Sequence, residues 1–435
     1  MTRSTRVRYM AGMVVDATGS GMYLPLSLLF FHYVTGLPIE RVGVIMTAAA
    51  LFALVGNPIA GVLVDRFGAR AVVVGGYVVR AAGFATYPLV DSPLTMFLAV
   101  ALVALGDGSY PPSIQSFVAA IARGADRDRL LAAQRSLRNA GLGAGGLIAG
   151  AALGLGSDAA YRVIVLVSAA AFVGAALILR TIPVPGGPAR TAVRTAEPAA
   201  PRRRGGYRLV LRDRTFLTLT LQNVPTAFGY MVLSVALPVY VTQELGVPAS
   251  MVGVVYAVNT VGIALLQIPV TRRLIRYRRT RTVAAGAFTF AASFVVFAVL
   301  AGVTVQSVAL AGVFAATVLF TLGEMLHGAP LSALVSSAAP EETHGRYMSV
   351  YQFSWAIPTT LAPAVLTALL GLSPVSMWLL LAGGAACSAL TVLRLETRLP
   401  ARAVHPNAGQ DPEDPQGTEI GDRRDAAATQ RAGVD

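Results

Sequence analysis

The stretch Gly61-Val62-Leu63-Val64-Asp65-Arg66-Phe67-Gly68-Ala69-Arg70 lies between two apolar segments, near 41–64 and 71–90. Each is long enough to cross a bilayer, which takes roughly 20 apolar residues in helical form. A compact basic turn wedged between such segments belongs where helices meet water. Gly61 and Gly68 permit close backbone approach, Asp65 can cap or pair, and Arg66 and Arg70 offer fork-shaped donors to carboxylates or helix ends.

Working outward, apolar stretches of bilayer length recur. They fall near 9–34, 41–64, 71–90, 94–122, 132–155 and 161–181, then near 214–241, 250–274, 282–303, 306–338, 345–371 and 375–394. The pattern predicts an all-α integral membrane protein of about twelve transmembrane helices in two six-helix halves, multi-pass in the cell membrane. The halves are residues 1–181 and 214–394. A Pro-, Gly- and Arg-rich linker, 182–213, joins them, and a polar tail, 395–435, is expected to stay disordered for want of apolar surface. The first stretch exceeds the roughly 7–15 residues of a signal-peptide core and reads as a retained helix.

Composition agrees. Of 435 residues, 55% are hydrophobic and 13% charged, and the mean hydropathy is +0.63. Ordinary soluble domains carry about a quarter charged residues. The net charge of +13 sits in arginine clusters between apolar runs, a pattern that points to anionic membrane lipids rather than nucleic acid. Arg3, Arg6 and Arg8 precede the first span, and further arginines follow the even-numbered spans, so both termini are expected to be cytoplasmic. The chain holds no lysine, which removes Schiff-base and P-loop lysine chemistry. The lone Cys387 reads as a small hydrophobe. His32, His327, His344 and His405 lack metal-ligand spacing, and no nucleophile elbow appears, so neither a cofactor nor an enzyme is expected.

The halves echo each other. Tyr33-Val34-Thr35 before Val42-Gly43-Val44 recurs as Tyr240-Val241-Thr242 before Val252-Gly253-Val254. In that register Asp16 matches Asn223 and Asn57 matches Gln267. Parallel repeats suit transporters that rock two halves about a midplane site.

Ionisable groups inside spans cost about 2.5–3.5 kcal/mol each on insertion scales and are functional candidates for that reason. Asp16, Arg80, Asp107, Glu324 and His327 are the set. Asp16 shares a helical face with Gly19, Ser20 and Tyr23, a face expected to line a wet cavity. Glu324 and His327, three apart, are placed to share a proton or pair. Arg80 either neutralises Asp107 in a structural pair or serves the site. Asn223, Tyr23, Tyr230 and Trp355 complete the candidate cavity lining.

On the fifth span, Gly141, Gly143, Gly145, Gly146 and Gly150 follow Arg135, Arg138 and Asn139, with glycines four apart suited to intimate helix packing. Pro358 and Pro363 interrupt the eleventh span, as either a kink or a source of free carbonyls.

The loop Gly61-x-x-x-Asp65-Arg66-x-Gly68-x-Arg70 resembles the signature loop of the major facilitator superfamily, and the resemblance covers about residues 9–394. It implies that Asp65 and Arg70 hold the halves together when the cytoplasmic side is shut, and that the working unit is a monomer. The second-half counterpart, Thr271-Arg272-Arg273-Leu274-Ile275-Arg276-Tyr277-Arg278-Arg279, lacks the acid and the glycines. Gly145-Gly146-Leu147-Ile148-Ala149-Gly150 is similar to the antiporter motif of drug-exporting members, with Gly146 in place of its proline and Ala149 in place of a glycine. The resemblance therefore implies a proton-coupled exporter of amphipathic or drug-like molecules, with small-molecule substrate and protons as partners. An uptake symporter for a small metabolite and a non-transporting membrane sensor remain as alternatives.

Overall fold

The computed structural model describes residues 2–54, 62–64, 66–122, 125–153, 158–184, 207–274, 276–340 and 343–405. Asn57, Gly61 and Asp65, most of the linker, and the tail beyond His405 lie outside the described residues. Helices α1 (Arg3–Tyr23), α2 (Ser27–Thr35), α3 (Ile39–Ala53), α4 (Ala69–Thr86), α5 (Pro93–Ile121), α6 (Ala125–Leu153) and α7 (Asp158–Arg180) form the first half. The second holds α8 (Arg214–Leu221), α9 (Asn223–Tyr230), α10 (Ala249–Leu274), α11 (Arg279–Leu300), α12 (Gln306–Ala338), α13 (His344–Leu372) and α14 (Pro374–Leu395). No strand occurs among the described residues. That is the expected outcome in lipid, where a helix satisfies every backbone group within itself.

Nine helices among the described residues are long and apolar enough to cross a membrane. Three expected spans fall short for local reasons. Helix α3 has 15 residues and ends beside an undescribed stretch. Helix α6 opens on Asp126, Arg127, Asp128 and Arg129 and runs into glycines of low hydropathy. The segment expected at 214–241 is broken: α8 and α9 are followed by turns at 231–235, a four-residue helix at Ala236–Val239 and a π turn at Tyr240–Glu244.

Local chemistry sets the element ends. Ser92 and Thr95 close a reciprocal capping box around Pro93 at the start of α5, which satisfies donors a helix start leaves unpaired. Asp213 accepts the Phe216 N–H at 2.9 Å to start α8. Gly36 (φ 66°) ends α2 in a left-handed conformation that costs glycine little.

One buried apolar cluster runs through both halves. In the first, α1 packs on α6 and α7, and α4 packs on α5 and α7. Tyr23, Phe84 and Tyr87 meet there at ring-centroid distances of 4.5–5.4 Å. In the second, α11 packs on α12 and α14 around fully buried Trp378. A second, smaller cluster forms where short flanking helices dock on the second half. Val210 of Tyr207–Arg212 and Ala403 and Val404 of Ala401–Val404 are buried with Phe216 and Tyr347. The second half thus begins before Arg214, and the segment to Val404 is docked rather than part of a loose tail.

The halves meet along two seams. In one, Thr47 of α3 accepts the Ala364 N–H of α13 at 3.0 Å, and a Cβ on Gly43 would collide with the Pro363 carbonyl and the Thr367 hydroxyl. In the other, Gly143, Gly146 and Gly150 of α6 press on Thr260, Tyr256, Gly253 and Ser250 of α10. Both seams lie at the end of the bundle away from Arg66 and Arg70. At the arginine-rich end Arg70 donates to the Ile182 carbonyl at 3.0 Å and Arg278 pairs with Glu396 at 2.6 Å, each within one half. Helix α13 runs on through Pro358 and Pro363 without interruption.

Candidate functional site

The first-half site is built on Arg80, 7% exposed on α4. Its guanidinium serves two carboxylates at once: Nη1 stands 3.0 Å from Asp16 Oδ1 and Nε 2.8 Å from Asp107 Oδ1. Nη2 donates to Ser20 Oγ at 3.1 Å, and the plane stacks over Phe172 at 4.0 Å from its centroid. The pairing of Arg80 with Asp107 is present. The cation for Asp16, invisible on its own helix, arrives from α4.

The face of α1 carrying Asp16 looks into this half rather than into a cavity, a correction to the sequence reading. Asp16 is 2% exposed, and Gly19 abuts Ala171 and Ser168 of α7. Tyr23 is buried too, its hydroxyl 3.2 Å from that of Tyr87. A helix in a tight bundle presents its small residues to neighbours, because only they admit close approach. Asp107, by contrast, has a side chain 53% exposed, so of the two carboxylates on Arg80 it is the one open to solvent.

In the second half, Glu324 of α12 is half-buried and accepts the Asn259 amide at 3.0 Å, while that amide also donates to Thr321 at 3.1 Å. Among the described residues no cation pairs with Glu324. Nor does His327, and the expected pairing of the two is not formed. The two meet different neighbours: Glu324 meets Asn259 of α10, and His327 meets Tyr230 of α9 and Gly286 and Phe290 of α11. His327 is fully buried, with Nδ1 3.3 Å from the Tyr230 hydroxyl, and Nε2 has no partner among the described residues. Tyr230 packs edge-on against Trp355 at 5.1 Å, both half-buried beside Glu324. Asn223 is fully buried and donates to Ser354 at 3.0 Å, away from this group.

The signature-loop residues within the described set remain on their own half. Arg66 lies over Phe67 at 5.3 Å, and Arg70 reaches Ile182. Gly141 and Gly145 pack α6 on α1, whereas Gly146 and Gly150 form the seam with α10. The glycine run thus serves two interfaces.

Two participants escape the sequence reading. Asn259 is an unremarkable amide until Glu324 is seen beside it. Arg138 looks like part of the basic start of the fifth span, yet it is exposed on a helix whose glycines pack against both α1 and α10. Its signal was an arginine only three residues before Gly141, inside the packed part of the helix.

Two helical halves, carboxylates and an arginine gathered within the bundle, and seams at one end define the transporter class. The Major Facilitator Superfamily model matches residues 9–225 and 219–421, and the chain belongs to that superfamily, a family of membrane transporters rather than enzymes. It is a multi-pass protein of the cell membrane. The chain is 32% identical to Multidrug resistance protein MdtH of Yersinia enterocolitica over 217 residues, 49% of this chain and 50% of that protein. The same identity holds to MdtH of Yersinia pestis strain Pestoides F over 216 residues, 49% and 50% of the two chains. The chain thus aligns with about half the length of these relatives. Among solved structures it resembles a POT family transporter in complex with 5-aminolevulinic acid, with a TM-score of 0.72, 12% identity, and 92% and 97% of the chains covered. It also resembles the nucleoside transporter NupG, with a TM-score of 0.68, 11% identity, and 90% and 98% covered. At such identities the likeness speaks for the fold.

Proposed function

We propose that this chain is a proton-coupled exporter of amphipathic or drug-like molecules, working as a monomer by alternating access through about twelve spans with both termini cytoplasmic. The relatives named for multidrug resistance support the cargo class. The observation that carries the coupling is one arginine held between two carboxylates, Asp16 and Asp107. Two acids and one guanidinium leave one negative charge in surplus, and a proton is the smallest species that cancels it.

The cycle follows from that surplus. With the arginine-rich loops in the cytoplasm, the seams close the outer side, and the site opens inward where cargo is loaded. A basic or apolar cargo settles against Tyr230, Trp355 and Glu324. After the halves rock, a proton from outside takes Asp107 or Glu324, and the loss of negative charge releases the cargo. Arg80 then commits fully to Asp16. In the opposite state Asp65, Arg66 and Arg70 close the cytoplasmic side. Anionic lipids surround the exposed Arg272, Arg273 and Arg276.

The test is substrate-induced proton movement in inverted, acid-loaded vesicles, followed with a pH-quenched dye and a panel of lipophilic cations, dyes and antibiotics. Recovery of dye on adding a compound, lost in Asp107→Asn, Asp16→Asn or Glu324→Gln, is the expected result. If no compound produces recovery, while right-side-out vesicles accumulate a sugar or organic acid under an inward proton gradient, the chain is an uptake symporter instead.

A further inference from the structure

Helix α10 is shared between two contacts that look in different directions. Thr260, 5% exposed, lies against Gly143 of the first half, where a Cβ would stand 2.6 Å from the Thr260 hydroxyl oxygen, and Gly253 lies against Gly146 and Gly150. The residue before Thr260, Asn259, is 4% exposed and reaches α12 of its own half. Successive helix positions point about 100° apart at 3.6 residues per turn, so α10 meets the seam with one residue and α12 with its neighbour. Gly262, one turn on, keeps the second contact close, since a Cβ there would meet the Thr321 methyl at 3.3 Å.

The chemistry of the Asn259 contact is fixed by its partners. Its amide nitrogen donates to Thr321 Oγ1 at 3.1 Å and to Glu324 Oε2 at 3.0 Å. The Thr321 hydroxyl itself donates to the Thr317 carbonyl at 2.7 Å, so toward Asn259 it can only accept, and a carboxylate only accepts. The amide NH2 must therefore face both. Among the described residues no other side chain bonds the Glu324 carboxylate. The titratable groups on the surrounding elements are Tyr230 of α9, which donates to the Glu324 main-chain carbonyl at 3.4 Å, Tyr256 of α10, Tyr351 of α13 and His327 of α12 itself. Helix α11 presents Gly286 and Phe290 to this stretch, and α6, across the seam, carries Arg138.

We infer that Asn259 is the positioning residue through which the charge of Glu324 governs the α6–α10 seam. This deepens the coupling reading and rests on Glu324 as a carrier of the proton. A hydrogen bond to an ionised acceptor is about twice as strong as one between neutral groups. Ionised Glu324 thus clamps α10 to α12 and holds Thr260 and Gly253 in place against α6. When the carboxylate takes a proton, or turns to a cationic cargo, the clamp weakens and α10 is free to leave α6. The empty, ionised carrier is then the form that stays shut, as an exchanger requires if it is not to cycle without proton or cargo.

The experiment reads the seam directly. Spin labels at the exposed Leu89 and Leu372, one on each half, report its opening in the purified full chain in nanodiscs, without cargo or gradient. From about pH 8 to about pH 5, the parent should gain open population about fivefold, the scale of one weakened hydrogen bond. Glu324→Gln should hold a more open population at both values. Asn259→Leu should do the same, and adding Glu324→Gln to it should open the seam no further, because both changes act on one bond. Thr321→Val keeps the bond to Glu324 and should keep the pH response, which separates the clamp from a general loosening of α10 on α12. If Asn259→Leu does not fold, Asn259→Ser, too short to reach the carboxylate, takes its place. A pH response that survives the Asn259 change, additive opening in the double variant, or no response in the parent would overturn the assignment. Absence of proton movement in vesicles with every compound, while the Asn259-dependent response is intact, would instead sink the export reading and spare the clamp.

Discussion

Gly43 and Gly253 hold the same place in the repeated Val-Gly-Val of the two halves, and each lies at the tightest point of one seam. Gly43 faces Pro363 and Thr367, and Gly253 faces Gly146 and Gly150. A Cβ on Gly253 would stand 2.8 Å from the Gly150 Cα, so Gly253→Val should block closure and leave the protein folded but open at the seam end. Thr260, 5% exposed beneath Gly143, reports this. A cysteine there, in a background where the exposed Cys387 is serine, should react with an impermeant maleimide only when Gly253 is enlarged. Gly253→Ala should give an intermediate rate.

Thr47→Val removes the acceptor of the 3.0 Å bond from Ala364 while keeping side-chain volume. A lost bond of this kind costs about 1 kcal/mol or more, which is a shift of roughly fivefold toward seam opening. Spin labels at the exposed Leu89 and Leu372, one on each half, should show the longer distance gaining population. An unchanged distance distribution would mean that the bond is incidental to closure.

Arg80→Gln strands two carboxylates, and breaking a buried pair from one side costs about 3–5 kcal/mol. The variant should melt well below the parent in detergent. Adding Asp16→Asn should recover much of the loss, because the more deeply buried carboxylate no longer needs a cation. Full additivity of the two changes would argue against the coupling.

Glu396, just past α14, receives the Thr280 hydroxyl and the Arg278 guanidinium, with Arg281 at 3.6 Å. Burial pushes its carboxyl up, but those donors and charges outweigh burial and hold it below the ordinary glutamate value of 4.5. A depressed carboxylate stabilises the fold above its unfolded value and loses that effect as pH falls through the folded one. An environment-sensitive label at Ala403, in the segment held by Arg279 at 3.0 Å, should therefore stay buried at neutral pH and become exposed in acid below 4.5. Glu396→Gln should expose it at neutral pH.

Hydropathy made the helical membrane architecture legible, because bilayer thickness imposes one length on every span. It did not foresee the broken segment after Tyr230, where Pro225 and Pro238 interrupt an otherwise apolar run. It found Arg80, Asp107, Asp16 and Glu324, since a charge in a span stands out in any apolar sequence. Who meets whom was another matter. Glu324 and His327 look like partners by spacing yet turn to different helices, and Asp16 finds its cation 64 residues away. The Val-Gly-Val repeat was visible, but its role at the seams depends on contacts between residues more than a hundred positions apart.

The Gly146–Gly253 contact has a consequence for how such a protein changes over generations. Closure there depends on backbone shape, where nearly any added atom is harmful, while cargo choice falls to side chains elsewhere. One surface is frozen and the other is free to vary, so a lineage can exchange one cargo for another by substitutions that leave the machinery of movement intact.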